Sequence, residues 1–223
     1  MLICDESEEK HLKKKSPIFG VYNPSIILTY ISVFCAIVGM AHLMKSETID
    51  SFNYMRVAIP LLIASGVCDM FDGAVARRCK RTDKEKEFGV QLDSLADTVA
   101  FVVFPALILV HMSNYSFISA VLACIYAFAG IMRLGWFNVT TEENKGYFQG
   151  MPVTLVSLFV PLVYTFLETF DVSGRLFVGI MQLTFAIISF LFIANFKFKK
   201  PGLKGRIALG LLAVVIALVL VFV

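Results

Sequence analysis

The chain has 223 residues, 58% of them hydrophobic, with 21 Phe, one Trp and a formal net charge of only +3. Its mean hydropathy of +0.78 excludes an ordinary water-soluble domain and marks a polytopic membrane protein, for which nucleic acid is not an expected partner. Five cysteines (Cys4, Cys35, Cys68, Cys79, Cys124) show no CxxC spacing, which excludes a zinc site or a disulfide framework as the organising feature.

Residues 1–24 form a basic N-terminal segment, with Lys10, Lys13, Lys14 and Lys15 clustered and no apolar h-region. No cleavable signal peptide is expected there, so the first apolar run acts as its own insertion signal. Apolar runs then follow at about 25–43, 55–76, 89–112, 116–137, 151–168, 175–196 and 207–223. Each is near the ~20 residues needed to span a ~30 Å hydrocarbon core. The expected fold is an all-α polytopic bundle with about seven transmembrane segments, and residues 25–223 are expected to form one membrane domain. The seventh run, RIALGLLAVVIALVLVFV, has no functional side chains and reads as a packing or lipid-facing helix.

Loop charges set the expected orientation, because short cytoplasmic loops collect Lys and Arg. With seven spans, the N-terminal lysines, the group Arg77, Arg78, Lys80, Arg81, Lys84, Lys86 and the group Lys197, Lys199, Lys200, Lys204, Arg206 share one side, assigned to the cytosol. Asn138-Val139-Thr140 has the form of a glycosylation sequon, but this orientation places it in the cytosol and makes it a chance match. His11, His42 and His111 share no face, and no catalytic role is expected of them.

The second and third runs carry the chemistry. Asp69, Asp72, Asp93 and Asp97 stand at or inside their ends, although a carboxylate at the centre of a membrane helix costs roughly 2.5–3.5 kcal/mol. From the rise per residue, Asp72 and Asp69 lie roughly 6 and 10 Å inside the end of helix two, and Asp93 and Asp97 roughly 6 and 12 Å past Gly89. Antiparallel neighbours then set Asp72 level with Asp93 and Asp69 level with Asp97, each set on one helical face. Four like charges in one cavity need neutralising. Oxygen ligands without His or Cys favour two hard divalent cations, Mg²⁺ or Mn²⁺, an arrangement suited to displacement at phosphorus. A plainer alternative pairs the carboxylates with Arg77 or Arg78 merely to join two helices, but it leaves the small residues Gly73, Ala76 and Gly89 unexplained. Small residues there leave room for a bulky substrate, or serve helix packing.

Asp69-x-x-Asp72-Gly73-x-x-Ala76-Arg77, followed by Gly89-x-x-x-Asp93-x-x-x-Asp97, resembles the signature of the CDP-alcohol phosphatidyltransferases, integral membrane enzymes that transfer a phosphatidyl or related group from a CDP-linked donor to an alcohol and release CMP. The eleven residues between Arg77 and Gly89 are more than that family usually has. The insert is expected as an extra turn or looser loop that leaves the two helical faces intact. The resemblance implies a six-helix core and a homodimer, with Asp69, Asp72, Asp93 and Asp97 as metal ligands and Asp97 also as general base on the acceptor hydroxyl. It also implies that Asp69, Gly73, Ala76, Arg77 and Gly89 bind the CDP-linked donor.

Further matches narrow the resemblance. Thr29 and Ser32 in LTYISVFCAIVG, the run Asp93-Ser94-Leu95-Ala96-Asp97, Arg133-Leu134-Gly135-Trp136-Phe137-Asn138, and Tyr147-Phe148-Gln149-Gly150-Met151-Pro152 are similar to segments of the branch that joins CDP-diacylglycerol to L-serine. Gly135 and Trp136 depart from the usual RLARFN form. Thr29 and Ser32 are placed on the donor side by this resemblance, or else bond only their own helix backbone. Arg133 is the candidate for the acceptor's carboxylate, or else snorkels to the interface. Other acceptors remain open at this point: glycerol 3-phosphate, an inositol phosphate or an aminoalcohol. A divalent-cation transporter also needs intramembrane acids, but VAIPLLIAS and VAFVVFPALILV continue the two helices without polar residues.

Overall fold

Apolar runs of this length satisfy every backbone N–H and C=O inside a bilayer only as helices, and a computed structural model of the chain has that architecture. The structure describes residues 26–44, 51–77, 79, 81–140, 147–199 and 203–222. The basic segment 1–24, Arg78, Lys80 and Lys200 lie outside the described residues, as do residues 45–50 and 141–146.

In chain order the helices are α1 (Ile27–Met44), α2 (Ser51–Ala76), α3 (Asp83–Asp97), α4 (Phe104–Met112), α5 (Phe117–Thr140), α6 (Val156–Thr169), α7 (Gly174–Ile193) and α8 (Leu203–Phe222). A π-helical stretch, Thr98–Val103, joins α3 to α4, so that 83–112 is one continuous rod. Among the described residues there are seven such rods, matching the seven expected segments. Five are long and apolar enough to cross a membrane, and Val153–Thr169 and Ala208–Leu220 are shorter apolar helices.

The α1 face that packs on α2 carries Thr29, Ser32, Ala36, Gly39 and Leu43, spaced alternately by three and four. That spacing keeps one stripe on the partner helix. Midway along it, the Ser32 and Ser65 hydroxyls meet at 2.7 Å, and Ser65 Oγ also lies 3.0 Å from the Ser32 carbonyl oxygen. The core of the bundle is the block Phe101, Val102, Phe104, Ile108 and Leu109, packed with Tyr126, Phe185 and Phe192. Tyr126 meets the Phe185 ring edge-on at 5.0 Å.

The start of the third rod differs from the sequence expectation. The charged stretch before Gly89 is not loop throughout: the helix begins at Asp83, six residues before the apolar run. Thr82 and Glu85 form a capping box, with Thr82 Oγ1 accepting from the Glu85 N–H at 3.3 Å and the Glu85 carboxylate accepting from the Thr82 N–H at 2.7 Å. Reciprocal caps satisfy two of the N–H groups that a helix start leaves orphaned. The insert is therefore spent on extra turns of helix.

Pro105 explains a second irregularity. It has no N–H, so the carbonyl of Phe101 four residues back lacks its ordinary helical partner, and the Tyr126 hydroxyl donates to that carbonyl. The π stretch ends two residues before this proline.

Beyond α5, Tyr147–Gln149 pairs antiparallel with Lys197–Lys199, with Phe148 opposite Phe198. Gly150 follows at φ +71°, a conformation that L side chains rarely adopt. Its N–H donates to the Phe196 carbonyl at 2.7 Å. The chain then enters the short 3₁₀ turn Val153–Leu155 and α6.

Candidate active site

α2 packs against the π stretch and α4, but over Asp83–Asp97 the backbones of α2 and α3 make few close approaches. The space between them is a cavity of about 530 Å³. Asp69, Asp72, Gly73 and Arg77 line it from α2, Asp93 and Asp97 from α3, and Arg133, Leu134 and Phe137 from α5. The register expected from the helical rise is the one found. The side chains of Asp69 and Asp97 are in contact, and so are those of Asp72 and Asp93.

Asp69, Asp93 and Asp97 each present a carboxylate oxygen, and the three oxygens lie within 4.8 Å of one another. Asp72 stands beside this group and accepts a hydrogen bond from Thr29 Oγ1 at 3.0 Å. Asp97 is 8% exposed. Carboxylates brought this close, at membrane depth, repel one another strongly unless a cation neutralises them. An all-oxygen donor set suits a hard divalent ion. The residues present therefore fit a divalent metal.

Arg133 is 5% exposed, so it is held within the protein and does not snorkel outward. Its Nε donates to the Met151 carbonyl at 3.1 Å, and the guanidinium carbon lies 5.6 Å from the Phe137 ring centroid. The Met151 carbonyl follows Gly150, whose own missing Cβ would stand 3.4 Å from Arg133 Nε. The tight turn after the small ribbon thus fixes one edge of the guanidinium, while the side chain still lines the cavity.

The other residues named from the sequence divide between lining and supporting positions. Gly73 lines the cavity, with the Arg77 guanidinium 3.6 Å from where its Cβ would be. Ala76 and Gly89 are not among the lining residues, and Arg81 stands 3.4 Å from the corresponding point at Gly89. Thr29 and Ser32 do not line the cavity either: Thr29 holds Asp72, and Ser32 is bonded to Ser65.

Two lining segments, apart from Pro152 at the end of the Tyr147–Pro152 run, were not singled out from the sequence. Pro152, Val153, Thr154, Leu155, Ser157 and Leu158 form one wall. Gly66 lets this wall approach α2, because a Cβ there would overlap the Ser157 side chain. Leu209, Gly210 and Ala213 of α8 form part of another wall, so the seventh rod is more than a lipid-facing helix: it packs on α2 and α6 and helps enclose the cavity. The missing Cβ of Gly210 would stand 3.1 Å from Met70 Cε.

A model of the CDP-alcohol phosphatidyltransferase family matches residues 22–222. Among individual proteins, the CDP-diacylglycerol–serine O-phosphatidyltransferase of Helicobacter pylori strain J99 is 33% identical over 198 residues, covering 84% of this chain and 78% of that protein. The protein of the same name from Methanocaldococcus jannaschii is 26% identical over 205 residues, covering 91% of this chain and 87% of the other. An archaetidylserine synthase of Methanothermobacter thermautotrophicus is 31% identical over 111 residues, covering 49% of this chain and 47% of its own.

Proposed function

Because this chain belongs to the CDP-alcohol phosphatidyltransferase family, we propose that it transfers the phosphatidyl group of CDP-diacylglycerol to L-serine, giving phosphatidylserine and CMP. The observation that carries this reading is the cavity where three aspartate carboxylates converge and which a buried arginine also lines. Relatives named for the same reaction, matched over most of this chain, support the choice of acceptor.

In the proposed reaction the serine hydroxyl gives its proton to Asp97 as its oxygen attacks the phosphatidyl phosphorus. The bond from that phosphorus to the CMP oxygen breaks, and CMP leaves with the electron pair. Asp69, Asp72, Asp93 and Asp97 would hold two divalent cations, Mg²⁺ or Mn²⁺, whose chemistry is to neutralise the diphosphate and the leaving CMP. Arg77 contacts the donor's phosphates at the cavity mouth, beside Gly73. Arg133 holds the serine carboxylate with a planar fork of donors already fixed on one edge.

A phosphorylated acceptor calls for several cations, and among the described lining residues only Arg77 and Arg133 carry positive charge. This favours serine over glycerol 3-phosphate or an inositol phosphate. The deciding experiment supplies purified protein with CDP-diacylglycerol, divalent metal and each acceptor in turn, and measures CMP release. Serine should be the fastest acceptor, and faster release with glycerol 3-phosphate overturns the assignment while leaving the transferase chemistry in place.

The same reading makes the protein a homodimer in the cell membrane, with its N-terminus and cavity facing the cytosol. Cys79 is a free thiol in the charged connection between α2 and α3. A membrane-impermeant thiol reagent should label it only after permeabilisation or in inside-out vesicles, with Cys79→Ser as control. Labelling of Cys79 in intact cells reverses the orientation.

A further inference from the structure

The cavity accounts for Asp93, Asp97 and Arg133, but not for a contact that joins the helices carrying them. Ser94 Oγ of α3 sits against the side-chain amide of Asn138 on α5, 3.0 Å from Oδ1 and 2.8 Å from Nδ2, so that a hydrogen bond forms in either direction. The two residues are 44 apart in sequence. Asp93 and Asp97 share one face of α3, and Ser94 is turned from Asp93 by roughly 100° about the axis, toward α5. The Ser94 carbonyl is in turn bonded by Thr98 Oγ1 at 2.8 Å. Asn138 lies five residues past Arg133, roughly 7 Å along the same helix.

We propose that Ser94 and Asn138 form a clasp that sets the separation between Asp97 and Arg133, and through it the fit of the acceptor. Over Asp83–Asp97 the rod buries only Ala96 and Asp97, and its backbone makes few close approaches to α5. Side-chain packing therefore does little to fix the distance between the two helices, and the clasp supplies a directional link one residue from Asp93. Arg133 is itself anchored through Nε, so displacement of α3 relative to α5 changes the gap between the proton acceptor and the carboxylate holder. A small acceptor such as serine, with hydroxyl and carboxylate separated by two carbons, cannot stretch to follow. The donor contacts proposed above lie on α2 and on the carboxylates facing it, and none of them is assigned to α5. The clasp accordingly acts on the acceptor and leaves the donor alone. Ser94 and Asn138 are positioning residues that touch no reacting atom. This inference rests on the serine transferase reading.

The test compares Ser94→Val with Ser94→Thr, which have nearly the same shape but differ in the hydroxyl, and adds Asn138→Leu and the double variant Ser94→Val/Asn138→Leu. CMP release is measured against serine and against CDP-diacylglycerol, and thermal unfolding in detergent is followed in parallel. Ser94→Val and Asn138→Leu should each raise the KM for serine about 5–20-fold with the KM for CDP-diacylglycerol within about twofold. The double variant should be no worse than either single change, because each already opens the clasp. Ser94→Thr should recover most of the loss. A rise in both KM values together, an unchanged serine KM in folded protein, or additive losses in the double variant overturns the clasp. If Ser94→Val does not fold, Asn138→Asp, which keeps the Oδ1 acceptor, compared with Asn138→Leu makes the same distinction. The acceptor panel on unaltered protein tests the serine reading separately, since it involves neither residue.

Discussion

One helical rod contains two different materials. In its first half, Asp83–Asp97, only Ala96 and Asp97 are buried, and the space beside it is cavity. In its second half, Ala100, Phe101, Val102, Phe104, Pro105, Ile108, Leu109 and His111 are buried, all but Pro105 and His111 at 0% exposure. The two halves divide the labour. The apolar half is held by close packing, where loss of shape is costly. The acidic half borders the cavity that the proposed function assigns to a nucleotide-linked lipid and an alcohol, and it is held by point contacts: Ser94 to Asn138, and the Thr82–Glu85 cap at its start.

If that division is right, substitutions in the acidic half remove turnover and leave the fold, while those in the packed half do the reverse. The largest effect is expected from Asp69→Asn, Asp72→Asn, Asp93→Asn or Asp97→Asn. Each should lower CMP release by about 10³-fold or more, and chelation of divalent metal should do the same, with little change in melting temperature. Substantial turnover in EDTA, or by well-expressed Asp93→Asn, removes the metal reading. Asp97→Asn should still bind CDP-diacylglycerol, since the additional task proposed for it is to accept a proton.

Arg133→Lys comes next. The charge is retained but the planar fork is not, and the KM for serine should rise about tenfold with the donor KM little changed. A rise for CDP-diacylglycerol alone moves Arg133 to the diphosphate. The smallest effect on catalysis belongs to Tyr126→Phe, which removes the donor to the Phe101 carbonyl in the packed half. It should cost about 1 kcal/mol of stability, read as a lower melting temperature, with turnover within about twofold. A large loss of activity without loss of stability would join the two halves into one functional unit.

The sequence carried the acidic half better than its surroundings. Asp69, Asp72, Asp93 and Asp97 were legible because helical rise and the antiparallel neighbour rule are local geometry, and they converge as expected. The seven apolar runs were legible for the same reason. The start of α3 was misplaced because hydropathy marks where the membrane begins, not where the helix does. The signal for the true start was present as Thr82-x-x-Glu85. Beyond Pro152, the walls from Val153, Thr154, Leu155, Ser157 and Leu158 and from Leu209, Gly210 and Ala213 were not legible, because such residues reach the cavity only through long-range packing. Thr29 was legible as a polar residue in an apolar helix, but its partner Asp72, 43 positions away, was not.

The wide turn at Thr98–Val103 has a consequence for how this gene can change. A π-helical segment holds more residues per turn than an α-helix, and so stores the equivalent of an inserted residue inside an otherwise regular rod. Deleting one residue from this stretch would let the rod continue as ordinary helix with its two halves near their present phase, so that Asp93 and Asp97 keep facing Asp72 and Asp69 while Phe104 and Ile108 keep their places in the core. Deleting one residue from the regular helix on either side would instead turn one part of the rod against the other by roughly 100°. Single-residue deletions within Thr98–Val103 should therefore be tolerated better than those within Asp83–Asp97 or Phe104–Met112.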